Sequence, residues 1–329
     1  MKIPTQMWKQ TQTLLKIPTS YLKMEVLNPW RLPREKVVFI MGATGTGKSR
    51  LSIDLATRFP SEIINSDKIQ VYKGLDIVTN KVTNEEQCGF PHHLLGIIDP
   101  NCDFSPKEFC LTATHAVESI HQKGKLPIVV GGSNSYIKSL VLDPKYGFRS
   151  RFDCCFLWVD VSVPVLHNFV SQRVDKMVEA GLVDEVRGIF DPNKTDYSRG
   201  IRRAIGVPEL DTYLRAEKTL DEAGRAKELH LAIQKIKENT SKLVFRQLDK
   251  IHQLQNLKRW ELHRLDATEA FRSRSKDQGD EAWEKLVARP SEKVVNWFLS
   301  DNFSTREVAT RSTIRTSVED MDHMVVSSL

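Results

Sequence analysis

Residues 42–49 read Gly42-Ala43-Thr44-Gly45-Thr46-Gly47-Lys48-Ser49, between the apolar run Val37-Val38-Phe39-Ile40-Met41 and the helix-like Arg50-Leu51-Ser52-Ile53-Asp54-Leu55-Ala56. Strand, glycine-rich loop and helix in that order are what a phosphate-binding loop needs. Glycines admit the positive φ that turns successive backbone N–H groups inward, and the following helix adds its positive dipole end. Lys48 then brings a charge to phosphate oxygens, and the Ser49 hydroxyl is placed to help hold Mg2+. A chance glycine-rich turn would lack this flanking pattern. The motif does not say which phosphates are held or what is done to them.

The chain has 329 residues, enough for one large α/β domain with an appendage or for two domains. With 40% hydrophobic and 27% charged residues it has the composition of an ordinary globular protein. A net charge of +6 suits a polyanionic ligand, nucleic acid or phosphorylated small molecule alike. The five cysteines, Cys88, Cys102, Cys110, Cys154 and Cys155, form no C-x-x-C pair, which speaks for a reducing compartment and against structural zinc. No stretch reaches the roughly 18 apolar residues of a membrane span. Residues 1–34 carry Lys2, Lys9, Lys16, Lys23, Arg31 and Arg34 against the single acid Glu25, the pattern of an organelle transit segment or of a plain disordered N-terminus. Residues 300–329, rich in Ser, Thr and charge, read as a loose tail.

Glu62-Ile63-Ile64 reads as a second strand opening into Asn65-Ser66-Asp67-Lys68-Ile69-Gln70-Val71-Tyr72. In an open α/β sheet such loops converge on the ligand crevice, so Asp67 should face the phosphate loop's contents. Residues 73–101 look irregular, and His92-His93 within them make a poor metal site. Ser105-Pro106-Lys107-Glu108 is a capping box with proline at the first helical position, starting a helix whose face carries Phe109, Ala113, Ala116, Val117 and Ile120. The buried strand Leu126-Pro127-Ile128-Val129-Val130 then runs into Gly131-Gly132-Ser133-Asn134-Ser135-Tyr136. An ATPase or GTPase usually has a Mg2+-orienting Asp at this point, so NTP hydrolysis is the weaker reading.

Another strand, Cys154 to Val159, precedes a helix with the stripe Leu166, Phe169, Val170, Val174, Met177 and Val178, which reads as core packing and ends at Gly181. Arg199-Gly200-Ile201-Arg202-Arg203-Ala204-Ile205-Gly206 reads either as an anion clamp or as a solvated turn. Residues 222–257 are helical in pattern with a basic face, residues 260–265 can form a last strand, and helices near Glu281 and Ser291 would close the structure.

The series Gly42 to Ser49, Asn65-Ser66-Asp67, Gln70-Val71-Tyr72-Lys73-Gly74-Leu75-Asp76-Ile77, Thr79-Asn80-Lys81, Gly131 to Tyr136 and Gly200 to Gly206 resembles the isopentenyltransferase family, in matching order over residues 36–299. The resemblance implies an α/β fold: a P-loop NTPase-like parallel sheet flanked by helices, with an additional mainly helical part. The expected division is a leader at 1–34, the P-loop core at 35–180, a helical part completing the acceptor site at 181–258, a return strand and closing helices at 259–299, and a tail at 300–329. It also implies transfer of a dimethylallyl group to the N6 amine of adenine.

Two branches exist, one acting on tRNA and one acting on free adenine nucleotides to begin cytokinin synthesis. Only the short connection at 142–152 stands where bacterial tRNA enzymes carry a large helical insertion, and no cysteine follows Cys155 for the zinc finger common in eukaryotic tRNA enzymes. Both features favour the plant adenylate type, with tRNA dimethylallyltransferase as the alternative. A phosphate-loop kinase and a non-catalytic nucleotide switch stand behind these.

On that resemblance the partners are the small molecules dimethylallyl diphosphate and an adenine nucleotide, with Mg2+ as cofactor, and neither tRNA nor membrane is expected. Asp67 is the candidate general base for the amine. Gly42, Ala43, Thr44, Gly45, Thr46, Gly47, Lys48, Ser49, Ser133 and Arg203 would bind the diphosphate, Lys48 and Arg203 with catalytic effect on the leaving group, and Ser49 would ligate the metal through its hydroxyl. The basic helix around Lys235, Lys237, Lys242 and Arg246 could meet the acceptor's phosphates. AMP, ADP and ATP stay open as acceptors, and the leader points to a plastid, with mitochondrion or cytosol as alternatives.

Overall fold

The computed structural model describes residues 34–258, 260–273 and 275–300. The expected tail from 301 onward and the leader up to residue 33 lie outside the described residues. Along the chain come β1 (Glu35–Met41), α1 (Lys48–Arg58), β2 (Ser61–Asn65), β3 (His92–His93), α2 (Pro106–Gln122), β4 (Leu126–Val130), α3 (Asn134–Leu142), α4 (Phe148–Arg151) and β5 (Phe152–Asp160). There follow α5 (Val163–Glu179), α6 (Leu182–Ile189), a 3-10 turn (Gly200–Arg203), α7 (Val207–Ala216) and α8 (Glu222–Lys258). The last elements are β6 (Leu262–Asp266), α9 (Thr268–Arg272), α10 (Lys276–Trp283), a π-helical turn (Glu284–Ala288) and α11 (Arg289–Leu299).

The strands form one sheet in the order β3-β2-β4-β1-β5-β6, every neighbouring pair parallel. A parallel sheet needs both faces covered, which is why β1 reads as an unbroken apolar run: Val37 to Met41 are fully buried. Phe39 stacks on Phe156 at 5.0 Å and meets Phe148 edge-on at 6.0 Å, geometries that aromatic quadrupoles favour. Register places Ile40 between Val130 of β4 and Leu157 of β5. The carboxyl ends of β1, β2 and β4 therefore open side by side on one edge. The long helix α8 packs against α7, α5 and α3, and so runs past that same edge.

Local signals explain the element starts. At α2 the Ser105 Oγ accepts from the Glu108 N–H and the Glu108 carboxylate accepts from the Ser105 N–H at 2.7 Å, with Pro106 at the first turn. These hydrogen bonds to Ser105 hold Glu108 below the usual carboxylate range, small burial opposing.

Within the stretch that reads as irregular, His92 and His93 form the edge strand β3 beside Ile63 and Ile64. His93 Nε2 lies 2.7 Å from the Glu62 carboxylate, which Lys123 and Lys125 also contact at 2.9 Å. Burial alone would raise Glu62, but these three partners outweigh it and hold its pKa at about 2. The cluster is a tie between the sheet edge and the end of α2.

Candidate active site

The loop between β1 and α1 closes around its own backbone. Gly47 sits at φ +87, a conformation L side chains rarely adopt, and a Cβ there would lie 2.6 Å from the Trp283 ring. A Cβ on Gly42 would lie 2.5 Å from the Val159 carbonyl, so only glycine lets β1 turn beneath β5 here. The Ala43 carbonyl accepts from Thr46 Oγ1 at 3.0 Å and from Lys48 Nζ at 2.5 Å. The Lys48 ammonium is thus drawn back onto the loop that it will serve. Burial lowers its pKa to about 8, Asp67 acting to raise it and Arg173 to lower it further.

Arg173 comes from α5, one position short of the buried Val174. Its Nη2 donates to Thr44 Oγ1 at 2.9 Å, and its buried Nε has no hydrogen-bond partner among the described residues. Burial lowers even this guanidinium, to about 10. A half-buried guanidinium lining the cavity beside a phosphate loop is placed to meet an anion.

Across the cavity, the loop after β2 presents Asp67. The Asp67 Oδ1 accepts from the Ile69 N–H at 2.9 Å, and its own N–H donates to Asn65 Oδ1 at 3.1 Å. Asn65 Nδ2 in turn donates to the Leu94 carbonyl at 2.9 Å, so the carboxylate is fixed through a residue on the strand itself. The loop after β4 backs this one. Ser133 Oγ accepts from the Lys68 N–H at 2.9 Å, the Ser66 N–H donates to the Val130 carbonyl at 2.8 Å, and a Cβ on Gly131 would lie 2.5 Å from Ser66 Oγ. Glycine at 131 is required by this close approach.

One cavity of about 710 Å³ joins the two sides, within the range of small-molecule sites. Thr44, Gly45, Gly47, Lys48, Ser49, Asp67 and Arg173 all line it, so the phosphate loop and the carboxylate share one space. Phe169, Phe271 and Trp283 give it an apolar wall; Phe169 and Phe271 meet edge-on at 4.8 Å, and Trp283 Nε1 donates to Asp54 at 2.7 Å.

Ser133 and Arg203 stand outside the lining. Arg203, on the 3-10 turn, donates from Nη2 to the Tyr72 hydroxyl at 2.9 Å, and its buried Nε has no partner among the described residues. On the basic helix, Lys237 is tied to Asp175 at 2.7 Å and Lys242 to Glu238 at 3.9 Å. Arg246 and Lys250 are the α8 cations near Lys68: burial, then Arg203, Lys250 and Arg246, push the Lys68 ammonium below its ordinary value against the pull of Asp67.

Sequence reasoning misses Arg173 and Gln247. Both sit on helices whose apolar stripe is obvious, and a polar residue beside such a stripe looks like wet surface. Phe169, which the stripe assigns to core packing, is 37% exposed and lines the cavity, a correction that follows from α5 turning that face toward Phe271 instead of toward the sheet.

The family model for IPP transferase matches residues 70–146 and 142–252. Adenylate isopentenyltransferase 5, chloroplastic, of Arabidopsis thaliana is 62% identical over 274 residues, covering 83% of this chain and 82% of that protein. Adenylate isopentenyltransferase 7, mitochondrial, of the same plant is 53% identical over 303 residues, 92% of each chain. Among solved structures, a eukaryotic dimethylallyltransferase acting on tRNA superposes with a TM-score of 0.67 at 26% identity, over 81% of this chain and 80% of that one.

Proposed function

The chain belongs to the isopentenyltransferase family, among the adenylate isopentenyltransferases, and we propose that it transfers the dimethylallyl group of dimethylallyl diphosphate to N6 of the adenine of AMP, ADP or ATP, releasing diphosphate. This is the opening reaction of cytokinin biosynthesis. The observation that supports it best is the shared cavity, with Lys48 and Arg173 on the phosphate-loop side and the Asp67 carboxylate on the other.

The chemistry asks for two things. The exocyclic amine is a weak nucleophile because its lone pair is delocalised into the purine. Asp67 takes its proton as the new C–N bond forms, a contribution of about a hundredfold or more. The leaving diphosphate gains negative charge as the allylic C–O bond breaks. The loop N–H groups, Lys48 and Arg173 meet that charge partly out of water, each such preorganised donor being worth about 2.7 to 4 kcal/mol. Ser133 and Arg203 stand outside this cavity and are assigned no diphosphate contact, Arg203 lying with the cations around Lys68. The Ser49 hydroxyl, exposed on the cavity wall, fits Mg2+, which is usually held by one or two protein oxygens together with substrate phosphates. When bound it would neutralise charge on the diphosphate.

The acceptor's phosphates fall to the cations around Asp67, namely Lys68, Arg246 and Lys250. Being exposed, these suit acceptors that differ in phosphate number.

The test is mass analysis of the product. Purified protein with Mg2+, dimethylallyl diphosphate and each of AMP, ADP and ATP should give an N6-isopentenyl nucleotide. Absence of that product from all three removes the proposal. The structurally similar eukaryotic dimethylallyltransferase acts on tRNA, so an anticodon stem-loop RNA is the control: modification of the RNA with no reaction on nucleotides would favour that second reading. A fusion of residues 1–40 to a fluorescent protein should enter plastids; diffuse cytosolic signal would refute that location, and a mitochondrial signal would redirect it.

A further inference from the structure

Gln247 lies one residue from Arg246 on α8 and is buried, 7% exposed, yet touches the cavity. Its side-chain amide makes two hydrogen bonds to backbone groups of two different loops. Oε1 accepts from the Thr44 N–H at 2.7 Å, and Nε2 donates to the Gly132 carbonyl at 3.0 Å. Its own carbonyl accepts from Asn134 Nδ2 at 3.1 Å, at the first residue of α3. The fit is close enough that a Cβ on Gly132 would collide with the Gln247 amide nitrogen.

The two loops are the two halves of the site. Thr44 belongs to the phosphate loop, and its hydroxyl is held from the other side by Arg173 at 2.9 Å. Gly132 belongs to the loop that supports Asp67, through Ser133 to the Lys68 N–H and through Gly131 against Ser66. Strand pairing does not reach this far: β1 and β4 pair only up to Ile40 and Val130. Beyond that point the Gln247 amide spans the separation of the two loops. An amide is the neutral side chain that can do this, since it offers an acceptor to one loop and a donor to the other on a single planar group. The same contact takes the Thr44 N–H out of the set available to a phosphate, so the loop's ligand-facing donors begin after it.

We propose that Gln247 is a positioning residue for transfer: it holds the phosphate loop at Thr44 and the base-bearing loop at Gly132 in register, so that the allylic carbon and the adenine amine meet. This rests on the reading above that the phosphate loop carries the prenyl donor and Asp67 the base. Reactions between two bound partners depend steeply on such registration, a misplacement of about 1 Å costing on the order of a hundredfold. A change at Gln247 therefore acts on turnover more than on the binding of either substrate.

The experiment compares the full-length wild type with Gln247→Met, which keeps the shape and removes both polar contacts, and Gln247→Glu. Active sites are titrated with a non-reactive thiolodiphosphate analogue of the donor, and kcat is expressed per titrated site. Gln247→Met should lose about a hundredfold in kcat with the acceptor KM within a few-fold of wild type. A merely structural role would reduce the titrated fraction and leave turnover per site intact. Gln247→Glu supplies a readout that survives poor folding of the Met variant. Protonated, its carboxyl again donates to Gly132 and accepts from Thr44; ionised, it sets an oxygen against the Gly132 carbonyl. Its kcat relative to wild type at the same pH should therefore climb as pH falls. Turnover per site near wild type in Gln247→Met, or a pH-independent ratio in Gln247→Glu, overturns the assignment. A wild type that forms no N6 product removes instead the reading on which it stands, and this assignment with it.

Discussion

The two sides of the cavity are built on opposite plans. The phosphate-loop side is contiguous in sequence from Gly42 to Ser49, and its cations are already engaged: Lys48 on the Ala43 carbonyl at 2.5 Å, Arg173 on Thr44 at 2.9 Å, both with pKa lowered by burial. The acceptor side is drawn from distant stretches; Arg246 and Lys250 are exposed, and Lys68, though its surface is open, has an ammonium that burial also pushes down. Charge held in place and partly out of water stabilises a transition state without reorganising, whereas exposed charge is screened and binds loosely. On the function proposed above, the phosphate-loop side is fit to drive bond breaking, and the other side to admit nucleotides of differing phosphate number.

Substitutions should separate the sides. The largest effect is expected at Asp67, where the two plans meet: Asp67→Asn should lower transfer by roughly a hundredfold to ten-thousandfold, while calorimetry shows donor binding retained. Near-normal turnover would mean that the base lies elsewhere. Next comes Lys48→Met, for which kcat should fall by about a hundredfold to a thousandfold. Arg173→Met should follow it closely, as both lose a preorganised donor; a change confined to acceptor KM would break the comparison.

How much of this is legible in the sequence follows the same divide. Gly42 to Ser49 can be read outright because eight adjacent residues carry the whole device, and the capping box at Ser105 and Glu108 is equally local. Asp67 is legible because strand ends in an open sheet converge. Arg173 and Gln247 are not, since each owes its role to a contact 129 and 203 residues away in sequence, both at Thr44. Lys237 and Lys242 look equivalent to Arg246 as charges, and only packing shows that Asp175 and Glu238 occupy the first two.

pH sharpens the donor side further. Lys48 has a pKa of about 8 in the free site, and a bound diphosphate raises it. Below that value the lysine is charged with or without donor, so affinity is flat. Above it the site must take up a proton to bind, and donor affinity should fall by up to about tenfold per pH unit until the bound-state pKa is passed. Calorimetry in buffers of differing ionisation enthalpy checks this, and Lys48→Arg should flatten the profile.

The smallest effect belongs to the exposed side. Arg246→Ala or Lys250→Ala should raise the acceptor KM several-fold, more for ATP than for AMP, with an effect that shrinks as salt is added. Equal effects on AMP and ATP would place the acceptor's outer phosphates elsewhere.

The central claim is that the phosphate loop grips the prenyl donor while Asp67 addresses the purine. A structure of the protein with the thiolodiphosphate donor analogue and ADP tests it most directly. The diphosphate should lie on the loop from Gly45 to Ser49 against Lys48 and Arg173, with the adenine N6 within hydrogen-bonding distance of Asp67. Nucleotide phosphates on that loop, with the donor analogue remote from Asp67, would contradict it.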